Sequence, residues 1–349
     1  MDREPNRRNP QEPYPVGKLP QADLIELLGR ALPNGDPSVI FGPGLGRDAA
    51  VIDFGERYLV AKTDPITFAT DNIGWYVMNI NANDVACLGA TPRWFIITLL
   101  LPEGQTNRLD VETVFNQLRE AGQQLGVSVV GGHTEITHAI DRPIAVGAML
   151  GDVAPDKLVR SDGGQPGDHL ILTKGIAVEG SAIIARELGE RLAGHFAPAM
   201  LDRVADFLHR PGISVVKEAR IATSSGRVHA MHDPTEGGVA TGIHELTEAA
   251  GLGAVIEAAA LPYYPETRAL CEFLDLDPLG LIASGSLLIA SPPGDAVDIL
   301  AALQAAGIPA VKIGALREQP GVLLQDTKGT RALPKFTRDE IARLFERTS

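Results

Sequence analysis

Residues 79–90 read NINANDVACLGA. Val77, Met78, Ile80, Val85 and Leu88 spread apolar side chains around this segment, as a helix enclosed on every side requires, yet Asn79, Asn81, Asn83 and Asp84 interrupt it. Buried amides need partners, and a buried carboxylate needs a cation or several donors. Mg²⁺ with a polyphosphate would supply both. The pattern predicts a helix capped at Asp71 or Asn72 and stopped by Gly89 and Pro92.

Working outward, LPQADLIELLGRAL (19–32) has helical spacing and ends before Pro33, and SVIF (38–41), AAVIDF (49–54) and YLVAKTD (58–64) read as strands between turn signals. Beyond the central helix come a strand RWFIITLLL (93–101), a helix over 108–125 stopped by Gly126, and strands VSVVGG (127–132) and IAVGAML (144–150). The stretch 151–168, GDVAPDKLVRSDGGQPGD, concentrates Gly, Pro and Asp as linkers do. The second half alternates again: strands at 169–175, 228–233, 253–257, 285–291 and 310–316, with helices at 178–188, 198–222, 235–250, 267–274, 295–307 and 337–347. Such alternation predicts α/β or α+β layers in two domains. The expected division is a flexible arm over 1–18, domains over 19–153 and 165–330, and a terminal helical segment over 331–349.

The chain has 349 residues, 44% of them hydrophobic, enough for a substantial core. With 44 acidic and 31 basic residues the net charge is −13, a field that repels phosphate backbones and argues against nucleic acid as a partner. The longest apolar run, WFIITLLL, is too short to span a bilayer, and MDREPNRRNPQEPYP does not resemble a targeting segment. Cys87 and Cys271, each in an apolar helical context, offer neither a disulfide framework nor a zinc site. A reducing cytoplasm is expected.

No phosphate loop, H-E-x-x-H, G-x-S-x-G or paired C-x-x-C is present. The glycines of GPGLGRD (42–48) lack dinucleotide spacing. What remains are aspartates at strand ends and in loops: Asp48 before AAVI, Asp64 closing LVAKT, Asp84 in the central helix, and Asp233 at a strand-to-helix corner with Thr235 as the expected cap. Each alone usually caps a turn or helix. His133 has no histidine at ligand spacing, since His138 lies five residues on, so a histidine metallohydrolase is the weakest reading.

These residues resemble the AIR-synthetase-like superfamily, which includes aminoimidazole ribonucleotide synthetase, selenophosphate synthetase, thiamine-monophosphate kinase and the hydrogenase-maturation protein HypE. GRDAAVI looks like its G-[DE]-D-A-A segment, AKTDPITF its second aspartate strand, NANDVACLGATP its N-D-x-x-x-x-G-A-x-P helix, and VVGGHTE its G-G-[DEH]-[TS] turn. MHDPTEGGVATGIHELTEAAG and CEFLDLDPLGLIASGSLLIA are similar to the HypE branch. The resemblance implies an amino-terminal mixed sheet that dimerises, a carboxy-terminal α/β sandwich, and ATP- and Mg²⁺-dependent γ-phosphoryl transfer to an oxygen or selenium of a small acceptor or carbamoyl donor.

Carried over position by position, the resemblance makes Asp48, Asp64, Asp84 and Asp233 the Mg²⁺ ligands, with Asn83 orienting Asp84. Gly131, Gly132 and Thr134 would line the nucleotide, and Lys18 in PVGKLP would reach a phosphate, although Val16 stands where HypE has a glycine. A homodimer, and another maturation protein as partner, are expected by analogy. HypE proteins end in a carbamoyl-accepting cysteine, whereas this chain ends LFERTS and neither Cys87 nor Cys271 reads as a mobile carrier. The alternative from another class is a nucleotide-binding scaffold for metallocentre maturation without turnover.

Overall fold

A computed structural model describes residues 23, 36–42, 49–67 and 71–346. Lys18, Asp48 and all but Asp23 of the expected first helix lie outside the described residues. The described residues from 36 onward form one compact unit.

Its first sheet comprises β1 (Val39–Phe41), β2 (Ala50–Asp53), β3 (Tyr58–Ile66), β4 (Thr91–Pro102), β5 (Ser128–Thr137) and β6 (Ile144–Val153), in the order β1-β2-β3-β6-β4-β5. Only β4 and β5 pair in parallel, and helix α2 (Arg108–Leu125) supplies the crossover that parallel neighbours require. Asn107 caps α2 in a reciprocal capping box with Asp110, and Gly126 ends it in the left-handed conformation.

The second sheet runs β13-β12-β9-β11-β7-β10-β8, built from β7 (His169–Thr173), β8 (Ala230–His232), β9 (Gly253–Glu257), β10 (Leu288–Ser291), β11 (Ala310–Arg317), β12 (Gly321–Asp326) and β13 (Gly329–Ala332). Around it lie α3 (Val178–Glu187), α4 (Gly189–Leu192), α5 (Pro198–Ala205), α6 (Val216–Ser225), α7 (Gly238–Ala250), α8 (Pro265–Leu274), α9 (Pro293–Ala305) and α10 (Ala342–Glu346). Both sheets are mixed, and the architecture is the expected α/β class.

Helix α1 (Ile73–Cys87) explains its own composition. All 15 residues are buried, because β3, β4 and β6 cover one side, α2 packs alongside, and α6 and β8 of the second sheet's layer cover the rest. A helix sandwiched in this way has no solvent face to mark with charge.

Several expected boundaries move. The predicted helix over 198–222 breaks after Leu208, where Pro211 and Gly212 cannot continue it, and resumes as α6. The helix expected from Thr235 starts at Gly238, with Gly237 as N-cap at φ 78° and no side-chain cap. The last helix, expected over 337–347, begins at Ala342, and the Asp339 carboxylate just before it accepts the N–H groups of Ile341, Gly237 and Ile282. The β12–β13 hairpin was not predicted, and the G-G-H-T segment expected as a turn lies inside β5.

Candidate active site

Lys62 and Asp64 stand two residues apart on β3 and so share a face. Asp64 pairs across the sheet with Gly147 of β6. A Cβ at Gly147 would fall 2.6 Å from Asn81 Nδ2 and 2.7 Å from the Phe95 ring, so the missing side chain is what lets α1 lie against the sheet. Asn81 Nδ2 then donates to the carbonyls of Val77 (2.8 Å) and Asp64 (3.2 Å). This docking brings Asp84 Oδ2 to 3.2 Å from Lys62 Nζ, with Asp64 Oδ2 at 3.7 Å from the same nitrogen. The Asp84 side chain is 7% exposed and that of Asp64 38%, so the pair runs from the buried helix outward. Lys62 escaped the sequence reading because a strand lysine ordinarily faces solvent; its i, i+2 spacing to Asp64 was the available signal.

Cys87 follows Asp84 by three residues and occupies the same helix face. Its Sγ donates to Asp233 Oδ1 at 3.4 Å, which places the second-half aspartate against the same helix. Asn83 is used differently from expectation. Its Nδ2 donates to Ile213 O (2.9 Å) and its Oδ1 accepts from Val215 N (2.8 Å), clamping α1 to the loop left by the break before α6. Each end of the amide makes one bond there, and this clamp sets the position of the helix that carries Asp84. Asn83→Ala strands a buried carbonyl and a buried N–H and is expected to cost about 2 kcal/mol. Denaturant unfolding of the purified variant measures this, and an unchanged midpoint would refute the clamp.

Gly131, Gly132 and Thr134 sit on β5, the edge strand, exposed on both faces. Asp64, Gly147, Ile97 and Gly132 form one cross-strand row. Three strand spacings separate the ends of that row, about 14 Å. Within one chain the glycines therefore do not meet the carboxylates. His133 Nε2 pairs with Glu135 Oε2 at 3.1 Å, both well exposed.

Among the described residues no group of three His, Cys, Asp or Glu side chains converges as a metal site. Asp64 and Asp84, with Asp48 outside the described residues, offer the oxygen donors that Mg²⁺ prefers. The buried Oδ1 of Asn81, whose own Nδ2 holds the Asp64 carbonyl, has no hydrogen-bond partner among the described residues and adds a neutral oxygen of the same kind. Donor chemistry therefore fits a hard cation.

Two family models match the chain: the amino-terminal domain of AIR synthase related protein over residues 46–153, and its carboxy-terminal domain over 165–326. Carbamoyl dehydratase HypE of Rhizobium leguminosarum bv. viciae is 30% identical over 270 residues, covering 74% of this chain and 73% of that protein. Among solved structures, the HypE–HypF complex superposes with a TM-score of 0.74 at 21% identity, covering 90% of this chain and 100% of that one. HypE in complex with ATP gives 0.70 at 22% identity, covering 91% and 96%. The two sheets, the aspartate-bearing helix between them and these matches agree: the chain belongs to the AIR synthase related family and is HypE-like.

Proposed function

We propose that the chain is a Mg²⁺·ATP-dependent enzyme that transfers the γ-phosphoryl group of ATP to an oxygen of a small, carbamoyl-type substrate. The observation that carries this reading is the convergence of Asp64 and Asp84 at the contact of β3 and α1, with Asp233 reaching the next turn of the same helix. Phosphoryl transfer asks a protein for positioning and charge neutralisation more than for a nucleophile, and this cluster offers both. Mg²⁺, held by Asp64 and Asp84 together with Asp48, would neutralise phosphate charge, and Asp233 is assigned to approach the nucleotide from the second half of the chain. Lys18 on the arm is assigned to a phosphate. The relative from Rhizobium leguminosarum is a carbamoyl dehydratase, and HypE of the same fold has been solved with ATP. Neither described cysteine is accessible as a carrier: Cys87 and Cys271 are buried, and burial, followed by the nearby Asp277 and Glu340, pushes the Cys271 thiol up to about 12.

The open edge of β5 supports a homodimer in which two copies continue one sheet, with Val129, Val130 and Ile136 partly exposed along it. Gly131, Gly132 and Thr134 then line the nucleotide near that junction. Another maturation protein is the partner class that the HypE–HypF complex supports. No described helix is long and apolar enough to cross a membrane, and the composition supports a place in the cytoplasm.

Calorimetric titration of ATP with Mg²⁺ tests the reading. Asp84→Asn keeps the shape and removes the charge, and is expected to weaken ATP binding at least tenfold, about 1.4 kcal/mol. Equal affinity in variant and wild type would sink the assignment. ATP hydrolysis stimulated by carbamoyl compounds would distinguish an enzyme from a scaffold that binds ATP without turnover.

A further inference from the structure

Lys62 occupies the position where a cation serving Asp64 and Asp84 would be expected. Its ammonium lies 3.2 Å from Asp84 Oδ2 and 3.7 Å from Asp64 Oδ2, and its own side chain is only 18% exposed. A carboxylate as buried as Asp84 is costly without a counter-charge. Lys62 supplies that charge from within the chain. A divalent ion must consequently compete with a tethered ammonium for the same oxygens.

Competition of this kind has a direction. Lysine is a compact charge on a flexible four-carbon stem with three rotatable donors, and it binds phosphate as a point charge. A metal ion arriving alone offers Lys62 no new anion in exchange for the carboxylate oxygens it gives up. A metal ion arriving with a triphosphate brings both a replacement cation for the carboxylates and phosphate oxygens for the lysine. We propose that Lys62 is a nucleotide-gated cation, which holds Asp64 and Asp84 together in the absence of nucleotide and moves to phosphate oxygens when Mg²⁺·ATP binds. This rests on the Mg²⁺·ATP reading above. It adds that the metal and nucleotide bind as a coupled pair, and that Lys62 is a nucleotide-binding residue.

The test uses the full chain, with Mn²⁺ alone as the probe for divalent binding, followed by paramagnetic resonance, and Mg²⁺·ATP followed by calorimetry. Lys62→Met removes the charge and keeps the length of the stem. Expected are a gain of at least tenfold in Mn²⁺ affinity without nucleotide and a loss of at least tenfold in Mg²⁺·ATP affinity. Lys62→Arg keeps the charge and covers the case in which the methionine variant fails to fold; it should exclude Mn²⁺ as the wild type does. Unchanged Mn²⁺ affinity in Lys62→Met, unchanged ATP affinity in it, or Mn²⁺ binding by Lys62→Arg tighter than wild type would each overturn the proposal. Failure of the wild type itself to bind Mg²⁺·ATP would overturn the nucleotide reading along with it, whereas normal wild-type binding with no effect at Lys62 removes this inference alone.

Discussion

Gly132→Ala is expected to peel β5 from the first sheet, whereas Gly131→Ala one residue earlier should leave the fold intact. Gly132 has φ +155°, and a Cβ built there falls 2.0 Å from the carbonyl oxygen of Ile97, its partner on β4. Backbone cannot yield as the tip of a side chain does, so the strain is on the order of 3–4 kcal/mol if the pairing is kept. Because β5 is the edge strand of the chain, detachment is the cheaper relief; damage within the chain should stay local, while a sheet continued across β5 by a second copy would be lost with it. Around Gly131 an added Cβ meets nothing within 4 Å. Amide exchange over residues 128–137 separates the two: protection is lost in Gly132→Ala and retained in Gly131→Ala. Wild-type protection in both would show that the strand tolerates the close approach. The pair also divides the roles assigned to these glycines. Any loss of ATP binding in Gly131→Ala, where no packing changes, reports contact with the nucleotide or across the dimer; the same loss in Gly132→Ala reports the strand.

The parts of this molecule that were legible in the sequence are those where a residue contradicts its surroundings. Asp84 and its asparagines announced themselves because amides and a carboxylate in an apolar helix demand partners. Asp233 stood out as a carboxylate at a strand-to-helix corner, and it is buried there against α1. What the asparagines do was not legible, since the partners of Asn83 lie 130 and 132 residues away and are backbone groups with no sequence signature. Lys62 was overlooked for the opposite reason: a lysine on a strand agrees with its surroundings until the fold places two carboxylates around it. Strand ends obey the same logic. β13 is exposed throughout and β5 nearly so, and without a buried face there is no period of two to read. Helix starts failed where backbone replaced side chain: Gly237 in the left-handed conformation opens α7 in place of the threonine cap, and Asp339, from the far end of the chain, takes up the Gly237 N–H.

That far-end contact belongs to a group of acids with a measurable consequence: Glu179→Gln is expected to stabilise the protein at pH 8 and to change little at pH 4. Glu179 opens α3, is 5% exposed, and its Oε2 has no hydrogen-bond partner among the described residues. Burial pushes its carboxyl up from 4.5 to about 7; hydrogen bonds from Ser284 pull it back in part, and the charges of Asp339 and Glu236 add to the rise. Asp339 is itself raised from 3.8 to about 6, chiefly by burial, against the three N–H groups of Ile341, Gly237 and Ile282. The sign follows from where each state holds its proton. Below pH 4.5 Glu179 is neutral whether the chain is folded or not, and its contribution is intact. Between 4.5 and about 7 the unfolded chain releases the proton while the fold retains it, so stability falls with rising pH, and above about 7 the loss is complete. The gap corresponds to about 3 kcal/mol. Glutamine keeps the shape and cannot ionise, so the difference in unfolding free energy between variant and wild type should grow through that window and level off above it. Denaturant unfolding of both proteins at pH 4, 6 and 8 measures the difference directly. A difference independent of pH would mean that Glu179 releases its proton at the same pH in the folded and the unfolded chain, and would overturn the claim that burial raises its carboxyl.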